Sequence, residues 1–135
     1  MDHRRVLLVD DTPEIAELLT YALRDHGYDV VTTGFDSGIA DLVAEHQPDA
    51  LVLDCSVFDM SEALFDAVRA NPDSVALPIV IVSDTPEKAD ASLRKREAEN
   101  VLLIPKPFTG GQIARVLGEL LNPRMTQTPD NPITR

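Results

Sequence analysis

Apolar and polar positions alternate between two textures along this chain. Short unbroken apolar runs are followed by longer stretches in which apolar residues recur every three or four positions. Val6-Leu7-Leu8-Val9 is the first run, ending at Asp10-Asp11. Such a run suits a strand covered on both faces. Thr12 then offers an N-cap and Pro13 suits the first helical position. Ile15, Leu18, Leu19, Ala22 and Leu23 share one helical face, and Gly27 is the expected stop. Residues 29–33 read as a second strand, and Ile39, Leu42, Val43 and His46 as the face of a second helix. Pro48-Asp49 leads into a third strand, Ala50-Leu51-Val52-Leu53-Asp54. A weaker third helix carries Ala63, Leu64, Ala67 and Val68 and ends at Asn71-Pro72-Asp73. Pro78 introduces the fourth strand, Ile79-Val80-Ile81-Val82-Ser83. Residues 86–100 predict a polar helix with only Ala89 and Leu93 as a stripe. Val101 to Ile104 is the fifth strand, stopped by Pro105-Lys106-Pro107. Thr109 and Gln112 have capping-box spacing ahead of a last helix faced by Ile113, Val116, Leu117, Leu120 and Leu121.

Five strands alternating with five helices predict an α/β fold, a parallel sheet covered on both faces. Ligands of such sheets bind beyond the carboxyl ends of the strands. Residues 122–135 hold three of the ten prolines and almost no apolar residues, so the expected organisation is a domain over 1–121 and a disordered tail over 122–135, without an output domain.

Composition narrows the partners. The 135 residues carry 12 Lys+Arg against 23 Asp+Glu, a formal net charge of −11. That balance argues against direct nucleic-acid binding and against docking on anionic lipid. The single cysteine, Cys55, cannot form an intramolecular disulfide, and one Cys with three His makes no zinc set. No apolar stretch approaches the roughly 18 residues of a membrane span, and no signal-peptide core follows Met1. The expectation is a cytoplasmic protein, monomeric or weakly dimeric.

The chemistry lies in the residues just past each apolar run. Asp10 and Asp11 follow the first strand, Asp54 ends the third, Ser83 ends the fourth and Lys106 follows the fifth. Taken singly, each has an ordinary reading: an acidic first turn of a helix, a turn residue, a cap, a solvated loop lysine. Their joint occurrence brings three carboxylates, a hydroxyl and an ammonium to one sheet edge. Crowded carboxylates need a cation, most simply Mg²⁺, which is commonly held by one or two carboxylates with waters and phosphate oxygens. A carboxylate can also be the nucleophile that forms an aspartyl phosphate.

On these residues the sequence resembles the receiver domain of two-component response regulators. The likeness runs over about residues 4–121. It is carried by Val9-Asp10-Asp11 with Pro13 and Ile15, by Pro48 to Asp54, by Leu77 to Ser83, and by Lys106-Pro107-Phe108. The resemblance implies a flavodoxin-like doubly wound sheet of order 2-1-3-4-5. It implies Asp54 as phosphoacceptor and Asp10, Asp11, Asp54 and the Ser56 backbone carbonyl as Mg²⁺ ligands. Ser83 and Lys106 would be the groups that engage the phosphoryl oxygens, with a cis Lys106–Pro107 bond. It implies a histidine kinase or phosphotransfer protein as donor, and a downstream protein reading the face made by the fourth helix, fifth strand and fifth helix. The chain would catalyse its own phosphorylation and dephosphorylation without being a metabolic enzyme.

Four departures from the family pattern stand out. Asp84 stands where a small residue usually follows the Ser/Thr. If its carboxylate faced a phosphoryl group at ~6 Å, the repulsion at an effective dielectric of ~20 would be roughly 2–3 kcal/mol per charge; turned outward it would be far less. Val57-Phe58 replaces Met-Pro, Glu62 replaces a loop glycine, and Leu103 stands at the aromatic switch position. These departures leave room for an atypical receiver that acts as a phosphorylation-independent interaction module. A phosphohydrolase with an aspartyl nucleophile usually has a second acid two residues on, where this chain has Ser56. Arg94-Lys95-Arg96 is expected as a solvated face, with docking of an acidic partner as the sharper alternative.

Overall fold

A computed structural model describes residues 4–33, 38–54, 58–106 and 108–121, with the side chains of 58–61 left outside the description. Five strands, β1 (Arg5–Asp10), β2 (Asp29–Thr33), β3 (Ala50–Asp54), β4 (Ile79–Ser83) and β5 (Val101–Pro105), alternate with five helices. The helices are α1 (Pro13–Asp25), α2 (Ile39–His46), α3 (Phe58–Ala70), α4 (Pro86–Lys95) and α5 (Gly110–Leu121). The strands form one sheet of order β2-β1-β3-β4-β5, with every pairing parallel.

The unbroken apolar runs are explained by burial on both faces. Val6, Leu8, Ala50, Val52, Val80 and Val82 pack with Leu19 and Leu23 of α1 and Ile113 and Leu117 of α5. The alternate residues Leu7, Val9, Leu51, Leu53, Ile79 and Ile81 pack with Ile39 and Val43 of α2 and Leu64, Phe65 and Val68 of α3. The period-2 alternation of a strand thus feeds two cores at once. In α3 the buried stripe is Leu64, Phe65 and Val68, while Ala63 is exposed. The expected stripe was displaced because Phe65 supplies far more apolar area than alanine.

Helix ends follow local chemistry. Thr109 and Gln112 make the reciprocal capping box: Thr109 N–H donates to Gln112 Oε1 (2.7 Å), and Gln112 N–H donates to Thr109 Oγ1 (3.1 Å). Arg69, near the end of α3, donates to the carbonyls of Ser74, Leu77, Glu99 and Asn100 and stacks over the Phe65 ring. It ties α3 to the segments that enter β4 and β5. Burial holds its guanidinium below the ordinary arginine value.

Helix α4 stops at Lys95, five residues short of the expected end at Asn100. Arg96 leaves the helix and grips α3, its Nε 2.8 Å and Nη2 2.9 Å from the two carboxylate oxygens of Asp66, with Nη1 3.3 Å from Glu62. Ser92 also donates to Glu62. Glu62, flagged as a loop-glycine replacement, therefore lies inside α3 and links it to α4. No described helix is long and apolar enough to cross a membrane.

Candidate functional site

The register of the two central strands sets Asp10 directly against Asp54 at their carboxyl ends. Asp10 shares the strand parity of Val6 and Leu8, and Asp54 that of Ala50 and Val52, so both side chains leave the sheet on the α1/α5 side. Both are buried, at 6% and 2% exposure. Asp10 Oδ1 accepts the Thr12 N–H at 2.8 Å, so the oxygen that organises the start of α1 comes from Asp10 and not from the expected Thr12 side chain. Asp10 Oδ2 is buried with no hydrogen-bond partner. Burial, opposed by the Thr12 N–H and reinforced by Asp54 and then Asp11, pushes the Asp10 carboxyl from its ordinary 3.8 up to about 7. Asp11 stands half-buried on the loop after β1.

Lys106 follows β5, and its backbone N–H donates to the Ser83 carbonyl (2.9 Å), which locks the ends of β4 and β5 together. Its Nζ lies 3.0 Å from Asp54 Oδ1. This is a close ion pair that falls short of hydrogen-bond alignment, since Oδ1 has no aligned donor. Partial burial works against the ammonium, but Asp54 first, then Asp84 and Asp10, more than offset it, so Lys106 is held above the usual lysine value. Ser83 is buried, and its hydroxyl accepts the Thr85 N–H (2.9 Å) within its own loop. Asp84 is turned outward with its side chain 62% exposed, yet Oδ1 remains 4.0 Å from Lys106 Nζ.

The fold thus joins Asp10, Asp54 and Lys106, sets Asp11 and Asp84 at the margin, and keeps Ser83 within its own turn. Among the described residues no three carboxylate, histidine or cysteine side chains close into a metal cage. A buried carboxylate pair, each with one oxygen that no hydrogen bond satisfies, nevertheless suits a hard divalent ion, which needs only one or two protein carboxylates. Cys55, Ser56, Val57, Pro107 and the tail 122–135 lie outside the described residues. Leu103 is half-buried on the α2/α3 side of the sheet. Within Arg94-Lys95-Arg96, Arg94 pairs with Asp90 and Arg96 with Asp66 and Glu62, so most of that expected basic face is neutralised inside the domain. Spacing could not reveal the second pairing, because its partners are 30 or more residues apart.

The family model for the response regulator receiver domain matches residues 6–117. The chain belongs to that family. As a receiver domain it is a signalling module of two-component systems and not a classical enzyme. It is 31% identical over 118 residues to the DNA-binding response regulator MtrA of Mycolicibacterium smegmatis, covering 87% of this chain and 50% of MtrA. The receiver domain therefore spans about half the length of the curated relatives it matches. Among solved structures it superposes on the receiver domain of a signal transduction histidine kinase from Syntrophus aciditrophicus (TM-score 0.76, 20% identity, 97% of this chain and 99% of that one). It also matches the receiver domain of sensor histidine kinase PA1611 from Pseudomonas aeruginosa PAO1 (TM-score 0.74, 21% identity, 90% and 99%), described with magnesium coordinated in its active-site cleft. Both likenesses are of fold.

Proposed function

We propose that Asp54 accepts a phosphoryl group from the phosphohistidine of a histidine kinase or phosphotransfer protein. The observation that carries this is Lys106 Nζ at 3.0 Å from the buried Asp54 carboxylate, beside Asp10 with its orphaned oxygen. Asp10, Asp11 and Asp54, with the Ser56 carbonyl, would hold Mg²⁺, and a bound Mg²⁺ supplies charge neutralisation for the transferred phosphoryl oxygens. Lys106 is in place to pair with one of those oxygens. Ser83 accepts the Thr85 N–H and keeps its own O–H to donate to another. Because Lys106 and Ser83 share a backbone hydrogen bond, movement of one loop is transmitted to the other.

Phosphorylation adds about −1.5 to −2 charge at this edge. The β4–α4 loop and β5 respond first, and a protein partner reads the α4–β5–α5 face. The intact Asp10–Asp54–Lys106 arrangement weighs against a module that has abandoned phosphorylation. DNA binding belongs to MtrA as described and is not assigned to these residues. The test is intact mass after incubation with Mg²⁺ and a small phosphodonor. One phosphate-mass adduct, absent in Asp54→Asn, is expected. No adduct from small donors or from a histidine kinase refutes the reading.

A further inference from the structure

Asp84 occupies a particular place. It stands at the mouth of the site, on a groove shared with Lys106, Ile15, Leu18 and Phe108. Its carboxylate is mostly in water, yet 4.0 Å from the ammonium that pairs with Asp54. No other acid is paired with Lys106 from the solvent side among the described residues. A phosphoryl group arriving at Asp54 and pairing with Lys106 would lie beside this charge, because Asp54 and Asp84 flank the same ammonium. The ammonium that would receive that group is shared with Asp84 until it arrives.

We propose that Asp84 is a specificity-determining charge at the mouth of the phosphoacceptor site, disfavouring free, doubly anionic phosphodonors relative to donors whose own positive charge compensates the phosphoryl group. This rests on Asp54 being the acceptor. The chemistry is the same for both donor classes: a bond forms between an Asp54 carboxylate oxygen and phosphorus as the donor's P–O or P–N bond breaks. An acyl phosphate dianion releases its carboxylate. Phosphoramidate, whose ammonium offsets one phosphoryl charge, releases ammonia. A protonated phosphohistidine is the protein counterpart of the second class and releases neutral imidazole.

The two classes should feel Asp84 differently. With the phosphoryl group roughly 6 Å from an exposed carboxylate in near-aqueous dielectric, removing the charge should speed transfer at low salt by about five- to tenfold for a dianion and about two- to threefold for a donor of net charge −1. At about 1 M salt, where the screening length is near 3 Å, both gains should fall below about twofold. The experiment follows phosphate-mass adduct formation in wild type and Asp84→Asn with Mg²⁺, using acetyl phosphate and phosphoramidate at low and high salt. An exposed side chain that nothing in the fold depends on leaves the variant folded, which circular dichroism checks. Support is a larger acceleration with acetyl phosphate that salt removes. Equal acceleration of both donors, acceleration that persists in salt, or no acceleration overturns the proposal while leaving Asp54 as acceptor. No adduct in any protein with either donor or with a histidine kinase overturns the acceptor reading and this proposal with it.

Discussion

Asp10 is the group whose ionisation this fold resists, and that resistance can be measured. Its carboxyl titrates near 7 in the folded protein against an ordinary 3.8, with burial as the largest cause. For an acid raised in this way the folded state binds more protons than the unfolded state between those values. Stability is therefore greatest at low pH as far as this group is concerned. It is lost as pH rises from about 4 and levels off above about 7. Integrating between pH 5 and pH 8 gives a loss of roughly 2–3 kcal/mol, and the full shift corresponds to at most about 4 kcal/mol. Asp10 and Asp54 face each other, so the loss belongs to the pair.

Asp10→Asn isolates this contribution. The amide oxygen can keep the Thr12 N–H, and the amide nitrogen falls where the orphaned Oδ2 was, able to donate toward Asp54. The variant should be more stable than wild type above pH 7, and the gap should shrink by roughly 2–3 kcal/mol on going to pH 5. The chain has no tryptophan, so urea unfolding is followed by far-ultraviolet circular dichroism, in the presence of a chelator. Curves for the two proteins that stay parallel across pH 5–8 within about 0.5 kcal/mol would refute the reasoning, since surface effects alone are of that size.

Three further outcomes are expected. Mg²⁺ at about a hundred times its dissociation constant should raise wild-type stability by about 2.7 kcal/mol, and by much less in Asp10→Asn; equal effects on both would separate the metal from this carboxylate. Gly110→Ala places a Cβ 2.3 Å from Ala22 Cβ, where α5 starts against α1, and should cost about 1–3 kcal/mol in urea unfolding. Glu97→Gly relieves a side chain held at φ 51° just past α4, and should raise the thermal midpoint, corresponding to about 0.5–1 kcal/mol after the entropy of glycine is counted.

The strands and the chemical residues were legible because both obey local rules. A parallel strand buried on two faces must be an unbroken apolar run, and each functional residue sits where such a run stops. Asp10 and Asp54 could be paired in advance because their strands end together. What could not be read was long-range and electrostatic. Glu62 looked like a lost glycine, and its role needs Ser92 and Arg96 from across the chain. Spacing put Asp84 beside Ser83 but left open whether its carboxylate faces the site or the solvent; its side chain is 62% exposed.

The end of α4 makes the same point from two helices that stop in the same way. After α1, Gly27 N–H bonds to Arg24 and Tyr28 N–H to Leu23, with Gly27 at φ 91°; this is the Schellman arrangement, and glycine announces it. After α4, Glu97 N–H bonds to Arg94 and Ala98 N–H to Leu93, with Glu97 at φ 51°. The hydrogen bonds are the same, but no glycine marks the stop. Leu93 and Ala98 pack on the same core, supplying the apolar contact that commonly accompanies this motif. Arg96, between them, is held by Asp66, whose carboxyl is kept below its usual value chiefly by that hydrogen bond. Tertiary contacts therefore impose a left-handed residue that the sequence would not choose locally. The end of α4, one wall of the proposed read-out face, is thus set by its neighbours in α3.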